Sequence, residues 1–169
     1  MSVFFIALGG NLGDVVASFR SARRRIAQLP RAEILQSPLQ SSLLYRTPPL
    51  GPPDQPDYYN AVVSIACEFE PLKLLDALQS IEAAHGRVRA EHWGARTLDL
   101  DIIAMDAAMV DTDRLSLPHP QMQFRQFVLR PLCDIAPNWQ HPRLQKTAAE
   151  LLNALQQAGE PTLPKGIAW

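Results

Sequence analysis

Segments with the two-residue repeat of a strand alternate along this chain with segments that carry the helical repeat, and few architectures accept the order in which they come. Residues 3–8 are a continuous apolar run with β-branched and aromatic members, as a buried strand requires. Gly9-Gly10-Asn11-Leu12-Gly13-Asp14 ends the run, and Asp14 is placed to cap a helix. Val16, Phe19, Ala22, Ile26 and Leu29 then recur at helical spacing until Pro30. Residues 33–47 are rich in Leu, Ile, Ser and Tyr with Pro38 inside, which predicts a broken strand. Five of the ten residues 48–57 are proline, and without ladder donors that stretch has no regular structure. Over 58–69, Ala61, Val63, Ile65, Cys67 and Phe69 alternate with Asn60, Ser64 and Glu68, the pattern of a strand with one buried face.

Pro71 opens a second helix striped by Leu72, Leu75, Leu78 and Ile81, with Gly86 on its C-cap side. After an irregular stretch over 87–96, residues 97–105 supply a fourth strand. The resulting β-α-β-β-α-β order predicts an α+β, ferredoxin-like sandwich with an antiparallel sheet. A hairpin is expected over 106–117 and helices over 122–135 and 147–158, all added behind the sandwich. The Pro-rich segment after Glu160 is expected to be loose. With 169 residues, 47% of them hydrophobic, the whole of 1–169 is expected to form a single domain.

Several function classes fall away on composition. Cys67 and Cys133 stand far apart with no CxxC, so neither a disulfide framework nor a thiolate zinc site is expected. The N-terminal run lacks a basic region and a cleavage site, and no apolar run approaches the roughly 20 residues that span a bilayer. A cytoplasmic protein without membrane contact is the expectation. The formal charge of -1 argues against a general nucleic-acid binder.

Thr97-Leu98-Asp99-Leu100-Asp101-Ile102-Ile103 sets two carboxylates at i and i+2 of an expected strand. They leave one face together, roughly 6.5–7 Å apart at Cα, while Leu98, Leu100 and Ile102 take the other. Such a pair repels itself unless cations intervene, and Mg²⁺ takes oxygen ligands while leaving positions for water and phosphate. A solvated strand carries the same pattern, so the surroundings decide. Thirteen of the sixteen basic residues are Arg, and Arg87, Arg89 and Arg96 share the stretch just upstream with Trp93 and Gly94. Guanidinium groups beside a metal-binding pair suit a polyphosphate held between them, although surface ion pairs would use the same residues. Arg23, Arg24 and Arg25 read instead as the solvated side of a helix.

Other positions stay open on spacing alone. Glu82 faces the same end of the sheet, toward either a ligand amine or an arginine. The 9–13 turn lies where a phosphate cradle would, but it lacks the lysine and the GxGxxG spacing, so a tight turn leads. His119 after Pro118 reads as structural or, with Arg125 six residues on, as part of an anion site. No nucleophile-histidine arrangement with a recognisable context is present, so covalent catalysis is not expected.

Tyr45-Arg46-Thr47-Pro48-Pro49-Leu50-Gly51, Asp54-Gln55-Pro56-Asp57-Tyr58 with Asn60, Arg87-Val88-Arg89, Trp93-Gly94, Arg96-Thr97-Leu98-Asp99-Leu100-Asp101, Leu117-Pro118-His119, and Arg125 with Phe127 come in this order. Together they resemble the 6-hydroxymethyl-7,8-dihydropterin pyrophosphokinase family over about residues 3–137. The resemblance implies transfer of diphosphate from ATP to a hydroxymethyl pterin, with AMP as the other product, in tetrahydrofolate synthesis. It implies two Mg²⁺ ions on Asp99 and Asp101, with Arg87 and Arg96 completing the catalytic set. It implies a pterin slot of Thr47, Pro48, Leu50, Tyr58 and Asn60, with Trp93 and Phe127 stacking on the ring. Gln79, Glu82, Arg87, Arg89, Arg96, His119 and Arg125 match positions around the nucleotide, and the loops 48–57 and 87–96 would close over both substrates. A monomer is expected.

The chain departs from that pattern at Gly10, Ala90 and Pro120, and in a loop one residue short before Trp93, all away from the carboxylate pair. Two other classes fit less well. A sheet that reads RNA would want a basic surface, and unmetallated Asp99 and Asp101 would repel a phosphate backbone. A nucleotide-sugar transferase shares the Asp-x-Asp motif, but 169 residues are short for its nucleotide domain and acceptor site.

Overall fold

The computed structural model describes residues 1–29, 39–48, 54–86 and 97–169. Along the chain come β1 (Ser2–Gly10), α1 (Val15–Ala27), β2 (Gln40–Ser41), β3 (Tyr45–Thr47), β4 (Tyr58–Cys67), α2 (Pro71–Ala84) and β5 (Asp99–Met105). There follow β6 (Val110–Asp111), β7 (Ser116–Leu117), a 3₁₀ turn (Met122–Phe124), α3 (Gln126–Ile135) and α4 (Ala148–Gln157). The main sheet runs β2-β4-β1-β5 with β3 also on β4, and β6 pairs with β7 apart from it. Every pairing in the main sheet is antiparallel. With β2 and β3 counted as one broken edge strand, this is the ferredoxin-like order that the sequence predicts.

Local chemistry sets the element ends. Asp14 accepts from the Ala17 N–H at 3.0 Å, capping α1, and Gly13 precedes it at φ 68°, where a side chain would be strained. Pro71 stands at the start of α2, where no N–H is needed. Thr147 and Glu150 close a reciprocal capping box on α4. Phe4, Ile6 and Leu8 of β1, Ala61, Val63, Ile65 and Cys67 of β4, and Leu100 and Ile102 of β5 form one core with Phe19 and Ile26 of α1 and Leu74 and Leu78 of α2. On the opposite face, Phe5, Val62, Ile103 and Ala104 pack against Val128, Leu129 and Leu132 of α3 and Leu151 and Leu152 of α4. The sheet is thus covered by helices on both sides.

The break expected at Pro38 lies outside the described residues, and the edge strand breaks at Ser42–Leu44. There the Ser42 hydroxyl accepts from the Val62 N–H at 2.9 Å, replacing a ladder bond. The single helix expected over 122–135 is a 3₁₀ turn and a helix, parted at Arg125, whose backbone is extended at φ -119° and ψ 100°.

The segment after Glu160 is held against the domain. Ile167 exchanges both backbone hydrogen bonds with Leu44, at 2.8 and 3.0 Å. The Trp169 indole donates to the Ser42 carbonyl at 2.7 Å and meets Phe19 edge-on. The Arg23 guanidinium lies 4.2 Å over the Trp169 ring, so one residue read as a solvated helix side serves as an anchor. These partners lie more than a hundred residues away in sequence, which is why local composition gave no sign of them.

Candidate active site

Alternation along β1 decides where the molecule is open. On the face toward α3 and α4 the strand presents Phe5, Ala7 and Gly9 in turn, so side-chain volume falls toward its end. Ala7 stands opposite Val62 on one side and Asp101 on the other, and Gly9 stands between Asn60 and Asp99. A pocket occupies the space left above the small residues. Its lining includes Thr47, Pro48, Tyr58 and Asn60 on one wall and Asp99, Asp101 and Ile103 on the floor, with His119, Arg125, Phe127 and Val128 opposite.

The carboxylate pair lies as its spacing predicts. Asp99 and Asp101 are half-buried on the pocket face of β5, while Leu98, Leu100 and Ile102 are buried on the other. β5 is an edge strand, and its outer edge is closed by other groups. The buried Glu82 carboxylate accepts from the Leu100 N–H at 2.9 Å, and the Ile103 carbonyl accepts from the His119 N–H at 2.8 Å. These bonds fix the strand that carries both acids. Among the described residues, no three His, Cys, Asp or Glu side chains gather as a metal cluster. Two hard oxygen donors on one face, open to the pocket, suit an ion that takes its other ligands from water or phosphate.

On the opposite wall, the Asn60 amide donates to the Thr47 hydroxyl at 2.9 Å, which fixes the orientation of both groups. The Asn11 amide donates to the Pro56 carbonyl at 3.0 Å, tying the end of the Pro-rich stretch to the turn after β1. That turn therefore acts as a tight turn with a tether, and of residues 9–13 only Gly9 lines the pocket. Arg125 and Phe127 flank the start of α3, with the guanidinium 5.8 Å from the ring centre.

His119 belongs to the pocket rather than to the structural background. Burial, followed by the charge of Arg125, holds its pKa down to about 4, against an opposing pull from Asp99. The ring is therefore neutral near pH 7. Its Nδ1 accepts from the Gln121 N–H at 3.1 Å, so the proton sits on Nε2.

The structure brings together Thr47, Pro48, Tyr58, Asn60, Asp99, Asp101, His119, Arg125 and Phe127. Glu82 and Gln79 are placed elsewhere: Glu82 buttresses β5 from behind, and Gln79 accepts from Arg114 at 3.4 Å on the surface of α2. Leu50, Arg87, Arg89, Trp93 and Arg96 lie outside the described residues. Sequence reasoning missed Ala7, Gly9, Leu8, Ile103 and Val128. The descending series Phe5, Ala7, Gly9 was the signal for the first two.

A family model described as 7,8-dihydro-6-hydroxymethylpterin-pyrophosphokinase (HPPK) matches residues 5–137. The chain is 45% identical over 145 residues to a 2-amino-4-hydroxy-6-hydroxymethyldihydropteridine pyrophosphokinase of Haemophilus influenzae, covering 86% of this chain and 88% of that one. It is 42% identical over 160 residues to the protein of the same description from Pseudomonas aeruginosa, covering 95% and 96%. Among solved structures, wild-type Plasmodium falciparum HPPK-DHPS with STZ-DHP matches at a TM-score of 0.70 and 15% identity, over 90% of this chain and 43% of that one. The chain spans less than half of that protein, and the likeness is one of fold.

Proposed function

The chain belongs to the 7,8-dihydro-6-hydroxymethylpterin-pyrophosphokinase family, and from that premise we propose that its pocket transfers the β,γ-diphosphate of ATP to the hydroxymethyl group of 6-hydroxymethyl-7,8-dihydropterin, releasing AMP. The observation that carries this reading is the Asp99 and Asp101 pair in a pocket that sets the fixed Asn60 amide on one side and the Phe127 ring on the other.

A pterin is flat, with donors and acceptors on its edge and two π faces. Asn60 and Thr47, already oriented by their mutual bond, supply the edge, and Phe127 supplies one face, with stacking worth about 1 kcal/mol. Trp93 is assigned the other face, and Pro48, Leu50 and Tyr58 the rest of the slot, on the resemblance. Asp99 and Asp101 are the residues that would hold two magnesium ions. Bound there, magnesium would supply neutralisation of the phosphate charge.

The chain's own groups do the positioning. Neutral His119 offers Nε2–H to a phosphate oxygen without losing its proton, and Arg125 adds fixed positive charge on the same wall. Arg87, Arg89 and Arg96 are assigned to the phosphates on the resemblance, and Gln79 and Glu82 to the nucleotide side. The substrate alcohol attacks phosphorus in line, so alignment of the two substrates, rather than a strong protein base, sets the rate. A monomer in the cytoplasm accords with this reading, and no helix among the described residues is long and apolar enough to cross a membrane.

The test is Asp99→Asn and Asp101→Asn assayed for turnover, binding and melting. Each should lower kcat by roughly a thousandfold or more while pterin affinity and melting temperature stay near wild type. Turnover within tenfold of wild type in either variant would remove the carboxylate pair from the reaction.

A further inference from the structure

The first turn of α3 carries Phe127 and adjoins Arg125, yet little within the helix holds it. Arg125 occupies the N-cap position, where its carbonyl accepts from the Val128 and Leu129 N–H groups, both at 3.0 Å, but its side chain has only donors and caps no further N–H. Pro131 lies inside α3 and has no N–H to give the Phe127 carbonyl one turn back. A helix start built this way depends on contacts from outside.

Those contacts come from the segment 160–169. Gln126, the first residue of α3, is only 5% exposed, and both ends of its amide are taken by that segment. Its Nε2 donates to the Glu160 carboxylate at 3.2 Å and to the Pro161 carbonyl at 2.8 Å, and its Oε1 accepts from the Leu163 N–H at 3.2 Å. Farther along, the segment passes Tyr45 so closely that a Cβ on Gly166 would come within 2.8 Å of the phenol ring. It is then fastened by the Ile167 pairing with Leu44 and by Trp169 on Ser42, Phe19 and Arg23. The far end of the strap is thus tied to α1 and to the broken edge strand, while its near end holds the pocket wall. The matched family region ends at residue 137, so the strap lies beyond it.

We propose that residues 160–169 are a positioning strap, and that Gln126 is the positioning residue through which it fixes Phe127 and Arg125 against the pocket. Its effect on catalysis rests on the pyrophosphokinase reading, but its effect on α3 does not. The strap acts on where the wall stands, so its loss should weaken substrate capture rather than the chemical step.

The experiment compares wild type with Gln126→Met, which keeps volume and removes all three bonds, and with Trp169→Ala, which releases the far anchor and substitutes for the first variant should that one not fold. Hydrogen exchange of the unliganded protein should rise about tenfold over residues 122–130, while β1 and α2, which hold none of the strap's anchors, keep their protection. Steady-state kinetics should show KM for the hydroxymethyl pterin raised about tenfold, with kcat within about twofold of wild type. Exchange in 122–130 unchanged in both variants would overturn the proposal. So would a uniform rise across the molecule, which would make the segment a general stabiliser. Selective exchange with no AMP formed even by wild type would uphold the strap and sink the reaction.

Discussion

The two faces of the sheet are made by alternate residues of the same strands, yet one is filled to its end and the other is not. Toward α1 and α2, β1 presents Phe4, Ile6 and Leu8, all essentially inaccessible, and β5 answers with Leu100 and Ile102. Toward α3 and α4 it presents Phe5, which meets Trp139 at 6.3 Å between ring centres, then Ala7, then Gly9. The helices cover the wide end of this second face and leave the narrow end to a ligand. A strand thus divides its work by parity. One set of residues supplies burial, at about 25 cal/mol per Å² of apolar surface, and the other leaves a gap where Asp99, Asp101 and Asn60 are exposed to what enters.

If that division is real, each face should fail in its own way. On the filled face, Leu78→Ala removes a fully buried side chain of α2 and should destabilise the fold by about 2–5 kcal/mol in urea titration, with the pterin KM unchanged. On the open face, Ala7→Leu should grow into the pocket instead of the core. Its intrusion should cost about 1–3 kcal/mol of pterin binding, roughly 5- to 150-fold in Kd by calorimetry, with little change in melting temperature. A Leu78→Ala protein with damaged binding and normal stability would erase the distinction.

A smaller effect sharpens the comparison at the border between the faces. Tyr45 on β3 donates to Asp134 of α3 at 2.8 Å, and the Leu43 N–H donates to the same carboxylate, so this contact sets the spacing between edge strand and helix. Tyr45→Phe should lose about 1 kcal/mol of stability at neutral pH. Burial, then the hydrogen bond to Asp134, pushes the phenol from 10.0 up to about 12. The fold therefore favours the protonated phenol, and this contribution is whole below pH 10 and lost as the pH climbs through about 12. Denaturant titrations of the two proteins should differ at about pH 8 and converge at about pH 12. A gap that stays constant over that range would show that the phenol does not titrate with folding.

Much of this arrangement could be read from the chain because it is local. The parity of 58–69, the Asp14 cap, Pro71 at the head of α2 and the Asp99/Asp101 spacing each depend on residues within one or two turns. The pocket members Thr47, Asn60, His119 and Phe127 were not local in that sense and came from the resemblance carried by several motifs in order. The break at Ser42–Leu44 escaped because a hydroxyl replaces a backbone partner there, and no propensity marks such an exchange. The strap escaped for a different reason: its Pro and Gly content describes what it cannot form by itself, while Gln126, Leu44, Phe19 and Arg23 hold it from distant parts of the sequence. Glu82 was read as facing a ligand or an arginine, and its use in buttressing β5 appears only once the Leu100 N–H is seen to lie on an edge.

On the reading proposed above, the open face brings a pterin alcohol to the β-phosphorus of ATP. The direct measurement is to incubate the protein with ATP, Mg²⁺ and 6-hydroxymethyl-7,8-dihydropterin and to identify both products by chromatography and mass. The account predicts AMP and the pterin diphosphate in equal amounts, with no product when Mg²⁺ is chelated. ADP with a pterin monophosphate, or ATP left intact at full magnesium, would contradict it.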